Sequence, residues 1–154
     1  MSGTTAEVRM VESRRFGCVP VAEENVLRFP EGLPGFEGLR EFLLVAPAEL
    51  APVQFLVPLA DPEISFPILP ARLCLADYAP ALGAAELDGL QTDRPADLAL
   101  YAILTFDQAH EQVTANLRAP ILLNPAARLG RQVILPDATY ALRHALLAGG
   151  EAQG

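Results

Sequence analysis

Residues 112–118 alternate strictly between apolar and polar side chains. Val113, Ala115 and Leu117 fall on one side of an extended chain, and Asn116 and Arg118 are among the polar residues on the other. A period of two residues is typical of a strand with one buried face and one face in water. The pattern therefore predicts a half-buried strand that carries a polar surface.

The residues that follow predict a bend, a strand, a loop and a returning strand. Pro120 lacks an N–H, which favours a bend or a sheet edge. Residues 121–123 are apolar, residues 124–130 have the composition of a loop, and residues 132–135 are predicted to form the returning strand.

Short apolar runs separated by Pro, Gly and acidic residues predict several further elements. Strands are expected over residues 8–12, with residues 16–21 as a possible continuation, and over residues 26–29, 54–59, 64–69 and 98–106. Pro58, Pro67 and Pro70 favour an edge position for the third and fourth of these strands. Residues 98–106 are apolar except at Thr105, which predicts a strand buried on both faces.

Helical periodicity is weak in this chain. Residues 37–44 are compatible with one or two helical turns, and residues 80–87 are the best candidate for a short helix. Residues 139–147 fit neither a helix nor a strand pattern cleanly. Many short strands with frequent turns predict a mostly β fold, a small antiparallel barrel or sandwich with one or two short helices.

The length of 154 residues suits a single domain. We expect this domain to span residues 7–147, with residues 1–6 and 148–154 disordered. The apolar runs are much shorter than the ~20 residues that a membrane helix needs, and the first twelve residues do not resemble a signal peptide. A cytoplasmic protein is therefore expected, with Cys18 and Cys74 as buried thiols.

The net charge is −8, and all eleven basic residues are Arg. Such a chain repels phosphate backbones, which disfavours direct nucleic-acid binding and favours a basic protein as partner. Catalytic motifs are absent from the sequence. His110 and Glu111 lack the second His of an HExxH zinc site, and neither Cys has a basic neighbour in sequence. We expect no catalytic, cofactor or metal site, although carboxylates brought together by folding remain an alternative that would show as a deep pocket with perturbed Asp or Glu residues.

Several motifs carry a resemblance to a known family. They are Phe29-Pro30-Glu31-Gly32-Leu33-Pro34-Gly35-Phe36, Thr114-Ala115-Asn116-Leu117, Ala119-Pro120-Ile121, Asn124-Pro125 and Gly130-Arg131-Gln132. Together with weaker matches in the same order over roughly residues 7–147, they resemble the flagellar assembly factor FliW family. The resemblance implies a compact barrel-like β fold with minor helices.

The resemblance also implies a function. Proteins of this family bind newly made flagellin and, alternatively, the translational regulator CsrA, whose repression of flagellin synthesis they relieve. A flagellin-binding, chaperone-like module without CsrA is the alternative that the sequence leaves open. We expect a protein that is monomeric when free.

Two groups of residues are predicted to contact partners. The first is polar or basic and surrounds the alternating strand and the next loop: Asn116, Arg118, Asn124, Arg128 and Arg131. The second is acidic, with Asp61 and Glu63 in one turn, accompanied by Glu23 and Glu24 in another and by Asp107 and Glu111 in a third. Each of these residues could instead cap a turn or simply be solvated.

Overall fold

The computed structural model describes residues 9–136 and 139–146. The strands are β1 (Arg9–Ser13), β2 (Gly17–Val21), β3 (Val26–Arg28), β4 (Glu41–Val45), β5 (Gln54–Pro58), β6 (Phe66–Pro70), β7 (Ala99–Asp107), β8 (Gln112–Ala115), β9 (Ile121–Asn124), β10 (Leu129–Gln132) and β11 (His144–Leu146). Two short helices, α1 (Ala71–Cys74) and α2 (Ala84–Leu87), and 3-10 turns at Glu23–Asn25, Ala48–Leu50 and Pro95–Asp97 complete the secondary structure. The terminal segments predicted to be disordered, residues 1–6 and 148–154, lie outside the described residues.

Seven strands close into a barrel in the order β7-β6-β5-β4-β3-β10-β9, because β9 pairs back onto β7. Strand β3 pairs with β10 in parallel, whereas β3 with β4 and β10 with β9 form antiparallel pairs. Strands β8 and β11 extend the sheet from the second half of β7, and β1 and β2 form a separate hairpin. The prediction of a mostly β, barrel-like fold with short helices is confirmed.

Aromatic rings fill one end of the barrel. Phe29 and Phe42 meet edge to face with ring centroids 4.9 Å apart, and Phe42 meets Phe66 in the same way at 6.2 Å. Leu33 and Ile68 are buried in the same cluster. Edge-to-face contacts between aromatic rings are favourable, so these rings form the aromatic part of the barrel's main hydrophobic core.

The barrel closes where β3 meets β10. Leu129 pairs with Arg28, and the Arg28 N–H donates to the Arg128 carbonyl at 2.9 Å. Gly130 lies directly on the ring of Phe29, since a Cβ on Gly130 would come within 2.4 to 2.7 Å of three ring carbons. Glycine at position 130 is therefore required by the close approach of β10 to the aromatic core.

A second core lies on the outer side of β7 and β8. The Tyr78 hydroxyl donates a 2.7 Å hydrogen bond to the Leu117 carbonyl, and its ring packs edge to face on Tyr140. Ala102 and Ala115 are fully buried beneath these rings. This core ties the segment after β6 to the strands that extend beyond the barrel.

Two predictions of element type and position are wrong near the middle of the chain. Residues 37–44 are not helical, because β4 places Phe42 inside the barrel and Leu43 on the opposite face. There Leu43 packs in a separate buried cluster with Val21 and Val26. Strands β5 and β6 are internal rather than edge strands. Their prolines are tolerated because Pro58 and Pro70 end their strands and Pro67 precedes the ladder with β7, which begins at Ile68.

Other boundaries also differ from the predictions. The returning strand is Leu129–Gln132 rather than residues 132–135, because residues 133 and 135 instead donate to the carbonyls of Pro120 and Arg118. Residues 17–21 form a separate strand, and only Ala84–Leu87 of residues 80–87 is helical. In the described part of residues 139–147, His144–Leu146 is extended.

Two burial predictions are wrong as well. The end of β7 is buried on neither face, since Thr105 and Phe106 are exposed where the strand runs past the barrel. Cys18 is exposed, because it lies on the outward side of the β1-β2 hairpin. Cys74 is half-buried, and this burial raises the pKa of its thiol to about 11.

The Gly130→Ala substitution tests the closure of the barrel. We expect it to lower the free energy of unfolding by about 1–3 kcal/mol, because the new methyl group overlaps the Phe29 ring. Urea denaturation measures the change. Gly38→Ala is the matched control, since Gly38 has open space around it, and should change stability by less than about 0.5 kcal/mol. Equal effects of the two substitutions would contradict a role of the Phe29–Gly130 contact in closing the barrel between β3 and β10.

The Tyr78→Phe substitution tests the second core. We expect a loss of about 1–2 kcal/mol, because the Leu117 carbonyl loses its buried donor. Tyr101→Phe is the control, since the Tyr101 hydroxyl makes no hydrogen bond to the described residues, and should be nearly neutral.

The pH dependence provides a second measurement of the same contact. Burial raises the pKa of the Tyr78 phenol, so the folded state favours the protonated form. The contribution of Tyr78 is fully present below the unfolded pKa of about 10 and is lost as the pH rises above it. The alkaline decrease in melting temperature should therefore be smaller for Tyr78→Phe than for the wild type.

Candidate partner-binding surfaces

Asn116 and Arg118 lie at the bend between β8 and β9. The Asn116 Oδ1 accepts hydrogen bonds from the backbone N–H groups of Arg118 at 3.2 Å and Ala119 at 3.0 Å, so its side chain caps the turn before Pro120. The Arg118 side chain makes no hydrogen bond or ion pair to the described residues, and its Nε is buried without a partner. The terminal N–H groups of Arg118, rather than its buried Nε, are therefore the donors left for another molecule.

Asn124 is an interior residue. It is 5% exposed, and its Nδ2 donates a 2.6 Å hydrogen bond to the Leu90 carbonyl. Its Oδ1 accepts a 3.4 Å hydrogen bond from the Ala127 N–H. The side chain thus joins the β9-β10 turn to residues 87–90 and is occupied within the fold.

Arg128 and Arg131 lie on opposite sides of the β9-β10 hairpin. Arg128 has a backbone φ of 57° and donates from its guanidinium to the Glu23 carbonyl at 3.0 Å. Arg131 donates to three carbonyls around α2, those of Ala85 at 2.7 Å, Asp88 at 3.1 Å and Glu86 at 3.3 Å. Arg131 therefore holds α2 in place, whereas Arg128 retains unused donors.

The acidic candidates fall into three separate turns, and local basic groups engage half of them. Glu63 accepts from the Arg14 N–H at 3.2 Å, Glu23 pairs with Arg28 at 3.1 Å, and Asp107 lies 2.8 Å from the His110 ring. The other member of each turn, Asp61, Glu24 and Glu111, makes no ion pair with the described residues. These three carboxylates are the ones left to act on a partner.

The predicted residues do not form one continuous surface. The hydrogen bonds place Arg131 against α2, Arg128 against the Glu23–Asn25 turn and Glu63 against the β1-β2 turn. Asn116 and Arg118 form a further group at the bend before β9. Sequence pattern alone indicates spatial proximity only for residues that share a turn, and these residues belong to different turns.

An apolar row on the extension of the sheet was missed in the sequence. Phe106 pairs with Val113, and Val113 pairs with Leu146, so the three side chains lie side by side on one face of β7, β8 and β11. Phe106 is 61% exposed, and Val113 and Leu146 are half-buried. In the next row toward the barrel, Leu104 and Ala115 belong to the second core, and Leu146 packs against the same core. The signal in the sequence was the length of β7, which exceeds that of every strand it pairs with.

Two surface carboxylates have perturbed pKa values. Hydrogen bonds from Thr92 and then Arg94 lower the pKa of Asp97, and a hydrogen bond from His110 is the main cause that lowers the pKa of Asp107. Lowered values keep both groups ionised at neutral pH, so neither has the raised pKa of a general acid.

Among residues 9–136 and 139–146, no group of three or more His, Cys, Asp and Glu residues could hold a metal ion. No helix in this part of the chain is long and apolar enough to cross a bilayer.

Comparison with known proteins adds independent observations. A family model described as "FliW protein" matches residues 10–146. The flagellar assembly factor FliW of Thermotoga sp. (strain RQ2) is 38% identical over 138 residues, which cover 89% of this chain and 93% of the relative. That of Moorella thermoacetica (strain ATCC 39073 / JCM 9320) is 38% identical over 137 residues, 88% of this chain and 87% of the relative.

A solved structure shows the same fold. The chain superimposes with a TM-score of 0.82 on a protein described as "Crystal structure of the flagellar assembly factor FliW", at 32% identity, covering 92% of this chain and 99% of that one. Matches of this extent in family model, sequence and structure have one interpretation. The chain belongs to the FliW family of flagellar assembly factors.

Proposed function

We propose that this protein is a cytoplasmic partner switch that binds flagellin and, alternatively, CsrA, and that its binding to CsrA relieves the repression of flagellin synthesis. The observation that carries the proposal is the similarity to flagellar assembly factors over about nine tenths of the chain. Neither partner requires chemistry from the protein. Two competing binding equilibria are sufficient, because flagellin that leaves the cell frees the factor to bind CsrA.

The apolar row formed by Phe106, Val113 and Leu146 is the proposed contact for flagellin. A subunit of a polymer carries, before assembly, the apolar surface that the polymer later buries. An exposed Phe beside two half-buried aliphatic side chains offers a matching surface on a rigid sheet. Arg118 and Asn116, at the bend that follows β8, are proposed as separate polar contacts for a partner.

The acidic residues are the proposed contact for CsrA. An RNA-binding protein presents basic groups, and the net charge of −8 attracts them. Asp61, Glu24 and Glu111 lack a local basic partner among the described residues, so their charge is not neutralised within the fold. Within a Debye length of ~8 Å, the same carboxylates repel approaching RNA phosphates.

The substitution Phe106→Ser tests the flagellin contact. We expect binding to flagellin to weaken at least about fivefold, or ~1 kcal/mol, because the most exposed apolar side chain of the row is lost. Isothermal titration calorimetry with purified flagellin measures the affinity. Since Phe106 is already exposed, the melting temperature should change little.

Leu50→Ser is the matched control. Leu50 is also an exposed apolar residue, but it lies in the 3-10 turn between β4 and β5, far along the strand order from β8 and β11. Its substitution should leave flagellin affinity unchanged. Equal effects at both positions, or none at Phe106, would remove the sheet extension from the proposed interface. Titration of the wild type and the same variants with CsrA distinguishes the switch from a module that binds flagellin alone. Absence of CsrA binding by the wild type would refute the switch.

Electrostatic exclusion of RNA is a separate prediction. Association with CsrA should slow as the salt concentration rises, because salt screens the attraction between opposite charges. Replacing Glu24, Asp61 and Glu111 together by Arg should reduce displacement of RNA from CsrA more than it reduces formation of the complex. Stopped-flow fluorescence gives the association rate, and a labelled RNA gives the displacement.

The neutral variant Glu24→Gln, Asp61→Asn and Glu111→Gln separates charge from shape. It should fall between the wild type and the Arg variant in RNA displacement. A salt-independent association rate, together with full RNA displacement by the Arg variant, would show that CsrA is inhibited by occlusion or by a change of shape.

A further inference from the structure

The two ends of the barrel are filled differently. The ring of Phe29 occupies the space above Gly130, and Phe42 and Phe66 continue the aromatic packing from there toward one end. Ala99, the inward residue that begins β7, lies in the same row as Gly130, since both pair with Leu123. Its small side chain lines an open space at the opposite end of the barrel.

This space takes the form of a cavity of about 600 Å³ that opens at this end of the barrel. Its floor consists of inward side chains, including Leu27, Leu44, Ala99 and Leu123. Natural sites for small ligands have volumes of ~300–1,000 Å³ and mostly apolar walls, and the mouths of β-barrels are one of their preferred places. The volume is several times that of one side chain, so the cavity suits a small molecule better than a single anchor residue.

A few polar groups converge on this apolar space. Tyr101 lines the cavity, and its hydroxyl makes no hydrogen bond to the described residues. Arg128 stands at the rim, where a 3.0 Å hydrogen bond to the Glu23 carbonyl holds its guanidinium. Other N–H groups of this guanidinium make no hydrogen bond to the described residues.

The charges around the rim decide where a polar head would lie. Arg128 and Glu24 are the charged residues that line the opening, and Glu24 repels an anion from its own side. A carboxylate placed beside Arg128 and Pro125 would receive charge-assisted hydrogen bonds from the planar guanidinium. An apolar body would meanwhile occupy walls that hold water poorly.

We propose that this open end of the barrel binds a small amphipathic carboxylate, with its apolar body beside Ala99 and Tyr101 and its carboxylate on Arg128. Such a site is separate from the proposed flagellin contact, since the apolar row on β7, β8 and β11 lies outside the barrel, whereas Glu24 at its rim is shared with the proposed CsrA contact. A carboxylic acid with a medium-length alkyl chain has the required shape and polarity.

Decanoate, below its micelle concentration, is the probe. Titration calorimetry of the full chain should show saturable binding, and decyltrimethylammonium, with the same chain and the opposite charge, should bind at least tenfold more weakly. Backbone amide shifts in NMR spectra of the wild type should map the binding to Ala99, Leu123 and Arg128. Shifts confined to other regions, or no saturation, would overturn the proposal without any variant.

Two substitutions test the two halves of the site. Ala99→Phe should fill the cavity and weaken decanoate binding more than tenfold, with thermal melting as the check on folding and Ala99→Val as the milder version. Arg128→Gln should weaken binding about tenfold, because the carboxylate loses its charged donor. Arg14→Gln is the matched control, since Arg14 is an exposed Arg in the β1-β2 turn, and it should bind decanoate like the wild type.

Each other outcome has a definite meaning. Unchanged binding in Ala99→Phe would overturn the location, and unchanged binding in Arg128→Gln would overturn the carboxylate as the recognised group. If the wild type fails to bind decanoate while Ala99→Phe loses flagellin affinity, the small-ligand site is overturned and the opening belongs to the partner interface. Loss of flagellin binding in Phe106→Ser alone would leave the small-ligand site untouched.

Discussion

The contact between the Phe29 ring and the Cα of Gly130 fixes how this barrel closes. A parallel pairing between β3 and β10 is held by few hydrogen bonds, since its registered pair is Arg28 with Leu129. Packing must therefore supply what the ladder does not, and Phe29 does so by filling the space that a side chain at position 130 would occupy. Because β10 pairs with β9 and β9 pairs with β7, this contact lies where the two ends of the strand order meet and close the barrel.

This closure also explains why two distant motifs occur together. The segment that begins at Phe29 follows β3 and turns through Gly32, whose φ of 67° and tight backbone contacts exclude a side chain. The segment that begins at Gly130 lies in β10. The two segments are about 100 residues apart in sequence. The first contributes the ring of Phe29, and the second contributes Gly130, whose lack of a Cβ leaves space for that ring. Structural demands on the core account for both motifs without any contact to a partner.

The sequence predicted the parts of this structure that depend on local pattern. Alternation identified β8, and turn chemistry separated β5 from β6, since both signals involve neighbouring residues. The helical spacing of Phe36, Leu39 and Leu43 led to the wrong helix prediction for residues 37–44, because β4 is buried on both faces at Phe42 and Leu43 and so shows no alternation. Burial of Asn124 and the engagement of Arg131 with α2 depend on contacts more than 30 residues apart, which no local pattern records. Phe106 is exposed because β7 extends beyond its pairing with β6 and β9, which depends on the arrangement of the sheet rather than on the sequence of β7 alone.

The extension of β7 beyond the barrel separates stability from recognition. Inside the barrel, inward side chains such as Ile103 contribute to the main core, so substitutions there change folding. Beyond it, Phe106 is supported by backbone pairing with β8 while its ring remains in water. A residue held rigidly yet not needed for the core can contribute to binding at little cost to the fold, because little ordering entropy remains to be lost on association. The same reasoning distinguishes Arg118, whose guanidinium makes no hydrogen bond to the described residues, from Arg131, whose Nη1 already holds α2, and makes the former the better contact for a partner.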